Sequence, residues 1–229
     1  MNRIALALLA GTAALGFVST TYAADLIVEA PDVMPGIVDV SGNWDGAYVG
    51  VFAGYGSGFA DHNSGSPPGF PDGYDIDLSG WLVGGTVGAN MTVGSGLVIG
   101  VVGDAAWSNM SGDLVTGGAP GTITQTIDWM ATLRGKVGFD GGAFMPYLTG
   151  GLAVAGASRT SSGPDVTDTQ THIGWAAGAG VAFAATEDVS VNLEYLYSDL
   201  GEAEYDTGGI PPTIDLSTHQ IRVGLNWHF

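Results

Sequence analysis

The sequence predicts an all-β protein, an eight-stranded antiparallel up-and-down transmembrane β-barrel. Apolar and polar residues alternate in eight stretches, most of them about ten to thirteen residues long, the length of a tilted strand that crosses a bilayer. The connections between these stretches alternate between short and long. Beyond the N-terminal region, no run of about 18 apolar residues is present that would form a transmembrane helix.

The predicted strands have an apolar face and a polar face. In the fourth strand, Ile127, Trp129 and Leu133 are expected on the apolar face, and Arg134 and Lys136 on the opposite one. The charged residues inside the strands lie opposite the large apolar residues, which predicts a polar interior and an apolar exterior. The eight predicted strands cover residues 44–56, 79–90, 97–109, 124–139, 144–157, 170–184, 189–198 and 218–229.

The connections place both termini on the side of the short turns. The short connections are rich in Gly, Asp and Asn, as tight hairpin turns are. Short turns on one side and long loops on the other are typical of an up-and-down membrane barrel. A soluble eight-stranded barrel can alternate in the same way, but its apolar face would point inward. The short connections cover 90–96, 140–143 and 185–188, and the long ones 57–77, 109–123, 158–169 and 198–217.

Composition excludes several classes of protein. The 229 residues contain no cysteine, which rules out disulfides and thiolate metal sites. The chain has only 5 Lys and Arg against 23 Asp and Glu, so nucleic acid is not expected as a partner. The 39 glycines show no Gly-X-Y period, and they must therefore lie within structured segments.

The N-terminal region has the organisation of an export signal. Residues 1–23 contain Arg3, an apolar stretch and a small-residue cleavage motif, which predicts a cleavable signal peptide cut between Ala23 and Ala24. Residues 24–43 are expected to be an extended periplasmic leader, and residues 44–229 the barrel. A retained amphipathic anchor helix is the alternative to cleavage.

The six tryptophans fall at the predicted ends of the strands. With both termini on the periplasmic side, one set lies near the outer ends and the other near the inner ends. Such rings at the two membrane interfaces are the aromatic girdles of a membrane protein. The alternative is that these residues are core aromatics of a soluble sandwich. The outer set is Trp81, Trp107, Trp129 and Trp175, and the inner set is Trp44 and Trp227.

The candidate site is a set of charges on the polar faces of strands three, four, seven and eight. Because an unpaired buried charge is costly, we expect them to form a network across the narrow lumen, with Arg222 pointing toward Glu194. Such a network either rigidifies the barrel as a plug or provides a gated path for ions. The five members are Asp104, Arg134, Lys136, Glu194 and Arg222.

Several motifs carry a family resemblance. They are the mature start Ala24-Asp25-Leu26, the stretches 43–50, 100–104 and 146–153, and a closing strand that ends on Phe229. With these motifs the chain resembles the eight-stranded outer-membrane β-barrel proteins of Gram-negative bacteria. It is most similar to the porin-like group of outer-membrane immunogenic and opacity proteins. The end of the chain also resembles the C-terminal signal read by the barrel assembly machinery, carried here by Arg222, Gly224, Trp227 and Phe229.

The resemblance implies a location and a set of partners. The expected location is the outer membrane, with lipid and lipopolysaccharide as partners, the assembly machinery and periplasmic chaperones acting during biogenesis, and a monomer as the oligomeric state. The expected role is structural, with acidic loops presented outward as a surface antigen, and not enzymatic. No metal or cofactor is expected. The alternatives are a small ion-conducting porin and haem binding at the extracellular rim, where His172 and His219 are predicted to lie.

Overall fold

A computed structural model describes residues 44–64, 75–115, 122–162, 165–204 and 213–229. The predicted signal peptide (1–23), its cleavage between Ala23 and Ala24, and the predicted leader (24–43) lie outside these residues. So do parts of the four long connections. No helix in the described part of the chain is long and apolar enough to cross a bilayer.

The described strands form one closed barrel in which each strand is antiparallel to the next and the last pairs with the first. This confirms the predicted fold class. Closure pairs the first strand with the last, so that the sheet has no free edge strand. The strands are β1 (Gly46–Ser64), β2 (Asp75–Val93), β3 (Leu97–Val115), β4 (Thr122–Phe139), β5 (Phe144–Ser162), β6 (Asp165–Ala184), β7 (Val189–Glu204) and β8 (Thr213–His228).

The two ends of the barrel differ. At the turn end, where the short connections lie, the strands begin and end close to the predicted residues. At the loop end they run further than predicted: β1 extends to Ser64 rather than residue 56, and β8 starts at Thr213 rather than residue 218. The strands extend past the alternating stretches of the sequence. Their backbone pairing continues through segments that contain Thr and Ser and whose outer face is no longer regularly apolar. The long loops are therefore shorter than predicted.

The alternation of faces is confirmed over most of the wall. Leu133, Val223 and Leu225 point outward with 63%, 54% and 52% of their surface exposed. Ile127 is the exception, since it is fully buried while Trp129 is exposed. In the pairing of β4 with β5, the register shifts at a β-bulge between Ile127 and Trp129. One extra residue reverses the direction of every side chain beyond it, so the prediction that Ile127 faces outward is wrong.

The interior is polar only in part. Toward the loop end it is filled by an apolar cluster, here called the apolar plug, which differs from the polar lumen expected from the sequence. Eight strands leave an interior just wide enough for side chains to fill. Beyond the belt of outward apolar residues, the wall no longer faces lipid, so apolar side chains can point inward there. The plug consists of Ala60, Ile76, Leu78, Met110, Ile123, Ile127, Met130, Ala153, Ala155, Ala157, Ala176, Leu196, Leu200 and Leu216.

Glycines on the inner face make room for large rings. A Cβ atom added to Gly180 would lie 2.6 Å from the ring of Tyr147, and one added to Gly84 would lie 2.8 Å from the ring of Phe52. These contacts are shorter than any that packed carbon atoms tolerate. Glycine at these positions thus leaves room for large rings in a narrow lumen.

Candidate functional site in the barrel lumen

Four strands bring charged side chains into the middle of the lumen. Asp104 lies on β3, Arg134 on β4, Glu194 on β7 and Arg222 on β8. All four side chains are 7% exposed or less. The period of two places each of them on the inner face, and the closed barrel then brings strands that are distant in sequence within contact distance.

Three ion pairs join these four residues. Arg134 contacts Asp104 at 2.7 Å through one terminal nitrogen and Glu194 at 3.0 Å through the other. Arg222 contacts the second oxygen of Asp104 at 3.0 Å. Glu194 and Arg222 are directly opposite each other in the β7–β8 ladder, yet Arg222 pairs across the lumen with Asp104. The expected direction of Arg222 toward Glu194 is therefore wrong: Glu194 is paired with Arg134, and Arg222 extends across the lumen to Asp104.

Neutral side chains complete the network. Thr132 donates a hydrogen bond to the shared carboxylate at 2.7 Å and accepts one from Nε of Arg134 at 2.9 Å. Arg134 also donates to Thr149 at 2.7 Å, and Arg222 donates twice to Gln220, at 2.9 and 2.7 Å. Sequence analysis missed these three partners. Thr132 and Gln220 each lie two residues before an arginine, on the same strand face, and that spacing is the signal that would have found them.

Lys136 lies in the same lumen but outside the ion pairs. Its ammonium donates a hydrogen bond to the hydroxyl of Tyr48 at 3.3 Å. It also lies 5.0 Å from the centre of the Tyr48 ring and 4.6 Å from that of Tyr147, which is the range of cation–π attraction. The structure thus brings four of the five predicted charges into one network and places the fifth nearer the turn end, between two tyrosine rings.

A cavity of about 40 Å³ lies between the ion pairs and the turn end. Trp44 closes it at the turn end, with its indole nitrogen donating to the carbonyl of Gly142 at 3.1 Å. Only 3% of Trp44 is exposed, so its predicted place in the inner aromatic girdle is wrong. Trp44 precedes the start of β1 at Gly46, where the backbone has a positive φ of 106°, so the alternation of the strand did not determine its direction.

The other five predicted girdle residues point outward. Trp107 and Trp129 are paired across the β3–β4 ladder, and Trp175 packs against Tyr197 with ring centres 5.4 Å apart. Large exposed rings at both ends of the apolar wall suit the two interfaces of a bilayer. The exposed fractions are 66% for Trp81, 75% for Trp107, 41% for Trp129, 50% for Trp175 and 57% for Trp227.

His172 and His219 do not form a common site. His172 points into the lumen with 1% of its surface exposed, and its Nδ1 atom lies 3.4 Å from the carbonyl oxygen of Gly201. His219 points outward, and its Nδ1 atom shares a hydrogen bond of 2.6 Å with the hydroxyl of Tyr195. The expectation that both are rim histidines is wrong for His172. Within the described ranges, no three His, Asp or Glu side chains are grouped as a metal site would require.

The last strand carries the predicted assembly signal on both of its faces. Arg222 and Gly224 face the lumen, while Trp227 and Phe229 face outward with 57% and 73% of their surface exposed. The backbone nitrogen of Phe229 donates to the carbonyl of Ala47 at 2.9 Å. The end of the chain is therefore tied to the first strand, and its role as an insertion signal stays a prediction.

Comparisons with known proteins agree on a family. The family described as "Outer membrane protein beta-barrel domain" matches residues 10–229. The 25 kDa outer-membrane immunogenic protein of Brucella abortus is 33% identical over 222 residues, covering 95% of this chain and 94% of that protein. The 31 kDa outer-membrane immunogenic protein of Brucella melitensis is 29% identical over 239 residues, covering 97% of this chain and 98% of that protein.

A solved structure has the same fold. The outer membrane protein OprG from Pseudomonas aeruginosa superimposes with a TM-score of 0.51 at 14% identity, covering 83% of this chain and 99% of that one. At this level of identity the likeness concerns the fold alone. It agrees with the closed barrel described above.

Proposed function

The chain belongs to the outer membrane protein β-barrel domain family. We propose that it is a structural component of the outer membrane and that it presents its acidic loops at the cell surface. Its location in the outer membrane follows from the family and from relatives that are named outer-membrane proteins. Two of those relatives are named immunogenic, which supports exposure of the loops as a surface antigen.

The filled lumen is the observation that carries the structural role. Toward the loop end, Met110, Met130 and Leu196 of the apolar plug are 0–2% exposed. Below them lies the layer of ion pairs, and Trp44 covers the turn end. A conducting pore needs a continuous water-filled path, whereas these three layers interrupt such a path at both ends and in the middle of the lumen and hold the strands in one register.

The outer wall supports a permanent place in lipid. The apolar residues of the described strands form a continuous outward belt between two groups of aromatic side chains. Acidic residues near the loop end, such as Asp113 on β3 and Glu202 on β7, are exposed and lie beyond the loop-end aromatic group along the chain. Carboxylates at this level are suited to binding divalent cations shared with lipopolysaccharide phosphates. The expected partners are therefore the lipids of the membrane itself.

Removal of the protein from the cell tests the structural role directly. A strain that lacks the chain should become more sensitive to detergent and to large antibiotics that an intact outer membrane excludes. The wild-type chain should restore the barrier, and so should Arg222→Ala, provided that this variant folds, because a structural role does not require a conducting lumen. A deletion strain with an unchanged barrier would contradict the proposal.

A small ion-conducting porin is the second candidate. The buried ion pairs and the cavity favour it, because they provide polar groups in the middle of the lumen that a rearrangement could join into a path. The folded mature chain should show no regular conductance steps in planar bilayers if the lumen is structural. Steps that change in Arg222→Ala, but not in the lipid-facing control Leu225→Ala, would support the porin instead.

The enzyme and haem alternatives receive less support. His172 and His219 lie on opposite sides of the barrel wall, so that they cannot hold one haem together. We infer that the chain is not an enzyme, and incubation with lipid A or phospholipid should leave both unchanged. A Soret shift on haem titration that His219→Ala abolishes would revive ligand binding at the rim.

A further inference from the structure

The cavity near the turn end is lined by an unequal number of opposite charges. Its lining includes three basic side chains, Arg134, Lys136 and Arg222, and two carboxylates, Asp104 and Glu194. The two arginines are paired with the two carboxylates by the ion pairs described above. Lys136 is therefore the cation in excess.

Lys136 is buried without a counter-charge in contact. It is 8% exposed, and no carboxylate of the described residues lies within the 4 Å of an ion pair from its ammonium. The hydroxyl of Tyr48 and the two tyrosine rings compensate only part of the lost hydration, because they carry no net charge. A buried ammonium in this position needs an anion or must lose its proton.

Other groups around the cavity have unused hydrogen-bonding capacity. His228 shares a hydrogen bond with Ser190 through Nε2 at 2.9 Å, while its Nδ1 atom is buried without a partner. If Nε2 accepts from the serine hydroxyl, Nδ1 carries the hydrogen and donates. The hydroxyl of Tyr48 accepts from Lys136, which leaves its own hydrogen free to donate as well. Asn226 also lines the cavity; its buried amide oxygen has no partner, but as an acceptor it does not contribute to holding an anion.

We propose that this cavity binds one small monovalent anion of the size of chloride, held by the ammonium of Lys136 together with the Tyr48 hydroxyl and Nδ1–H of His228. The cavity of about 40 Å³ exceeds the roughly 10–15 Å³ that one water molecule requires. It therefore accepts a halide but not a sugar acid such as gluconate. Glu194 does not oppose the anion, since Arg134 neutralises it at 3.0 Å. This site goes beyond the proposed structural role and is independent of it.

Bromide provides a direct test in the wild-type chain. The barrel is folded from urea into detergent in bromide, crystallised, and examined for anomalous scattering. The expected result is one peak in the lumen within hydrogen-bonding distance of the Lys136 ammonium. A lumen that contains only water at this position would overturn the proposal.

Stability measured against chloride concentration provides the second test. Urea unfolding is followed in mixtures of chloride and gluconate at constant ionic strength. At a chloride concentration ten times the dissociation constant, the unfolding equilibrium constant of the wild type should fall by about 11-fold, because the anion binds the folded state only. Lys136→Met should lose this dependence, whereas Arg159→Met, which removes a buried cation outside the cavity lining, should retain it.

A second variant separates loss of binding from loss of folding. If heat-modifiable gel migration shows that Lys136→Met does not fold, Asn226→Asp replaces it. This change places a carboxylate in the cavity wall, where it neutralises Lys136 and excludes the anion, and it should abolish the chloride dependence in a folded barrel. A chloride dependence that persists unchanged in Lys136→Met, or in Asn226→Asp, would overturn the proposal.

Discussion

Replacing Asp104 by asparagine should destabilise the barrel by about 3–5 kcal/mol, the range for removing one partner of a buried ion pair. Asp104 contacts the guanidinium groups of Arg134 at 2.7 Å and Arg222 at 3.0 Å. Asparagine preserves the shape of the side chain and removes only its charge. Arg222 then has no carboxylate within ion-pair distance among the described residues, so its charge is left buried and uncompensated.

The matched change is Glu194→Gln, which should cost less. Glu194 contacts only Arg134 among the ion pairs, and Arg134 keeps its contact with Asp104 in this variant. The expected loss is about 1.5–3 kcal/mol, the contribution of one hydrogen bond to a charged group. The order of the two losses, with Asp104→Asn the larger, follows from the number of arginines that each carboxylate serves.

Urea unfolding in lipid vesicles measures both losses, with the folded fraction read from unboiled gels and tryptophan fluorescence. All variants are compared in gluconate, so that anion binding does not contribute. The double variant Asp104→Asn/Arg222→Met removes the stranded cation and should be more stable than Asp104→Asn alone. A larger loss for Glu194→Gln, or strictly additive losses in the double variant, would refute the reasoning that Asp104 is the shared centre of the network.

Two further predictions concern the outer wall and the inner glycines. Val223→Lys, on the lipid side of β8, should lower the free energy of unfolding by about 2–4 kcal/mol, as expected near the bilayer centre. Ser217→Lys lies on the same face but nearer the loop end, and it should lower this free energy by only about 0–1 kcal/mol. Equal losses of unfolding free energy in lipid vesicles would contradict this position of the barrel in the membrane. Gly88→Ala places a methyl group against the ring of Tyr48 and should cost about 1–3 kcal/mol by overpacking. Gly135→Ala, whose added atom would lie 3.8 Å from its nearest neighbour, should be neutral or stabilising by up to about 1 kcal/mol. If it destabilised the barrel as much as Gly88→Ala, the space beside each glycine would not explain why glycine is needed there.

The alternation of the sequence was sufficient to predict the class of fold and most of the wall. A period of two is a local property of the chain, so the faces of Leu133, Arg134 and Val223 could be assigned without any tertiary information. The lengths of the connections then predicted which ends of the strands meet. Both predictions are confirmed by the closed barrel and by the exposure of its outer residues.

The loop-end part of the barrel was harder to predict, because beyond the aromatic side chains its outer face is no longer regularly apolar. The sequence there mixes short polar side chains with scattered apolar ones such as Ile76 and Leu216, a composition that suits a loop as well as a strand. Ile127 shows the difficulty most clearly, since one bulged residue turns it from the wall into the plug. A bulge is set by pairing with the neighbouring strands and leaves little trace in the alternation itself.

The alternation in the chain assigns most residues to the inner or the outer face, whereas the contacts between inward residues depend on the closed barrel. Alternation placed Asp104, Arg134, Lys136, Glu194 and Arg222 on the polar faces of their strands. The stagger of the strands around the barrel then paired Arg222 with Asp104 on the opposite wall rather than with its neighbour Glu194, and left Lys136 beside a cavity. Contacts across a lumen depend on closure and register, which are properties of the whole sheet.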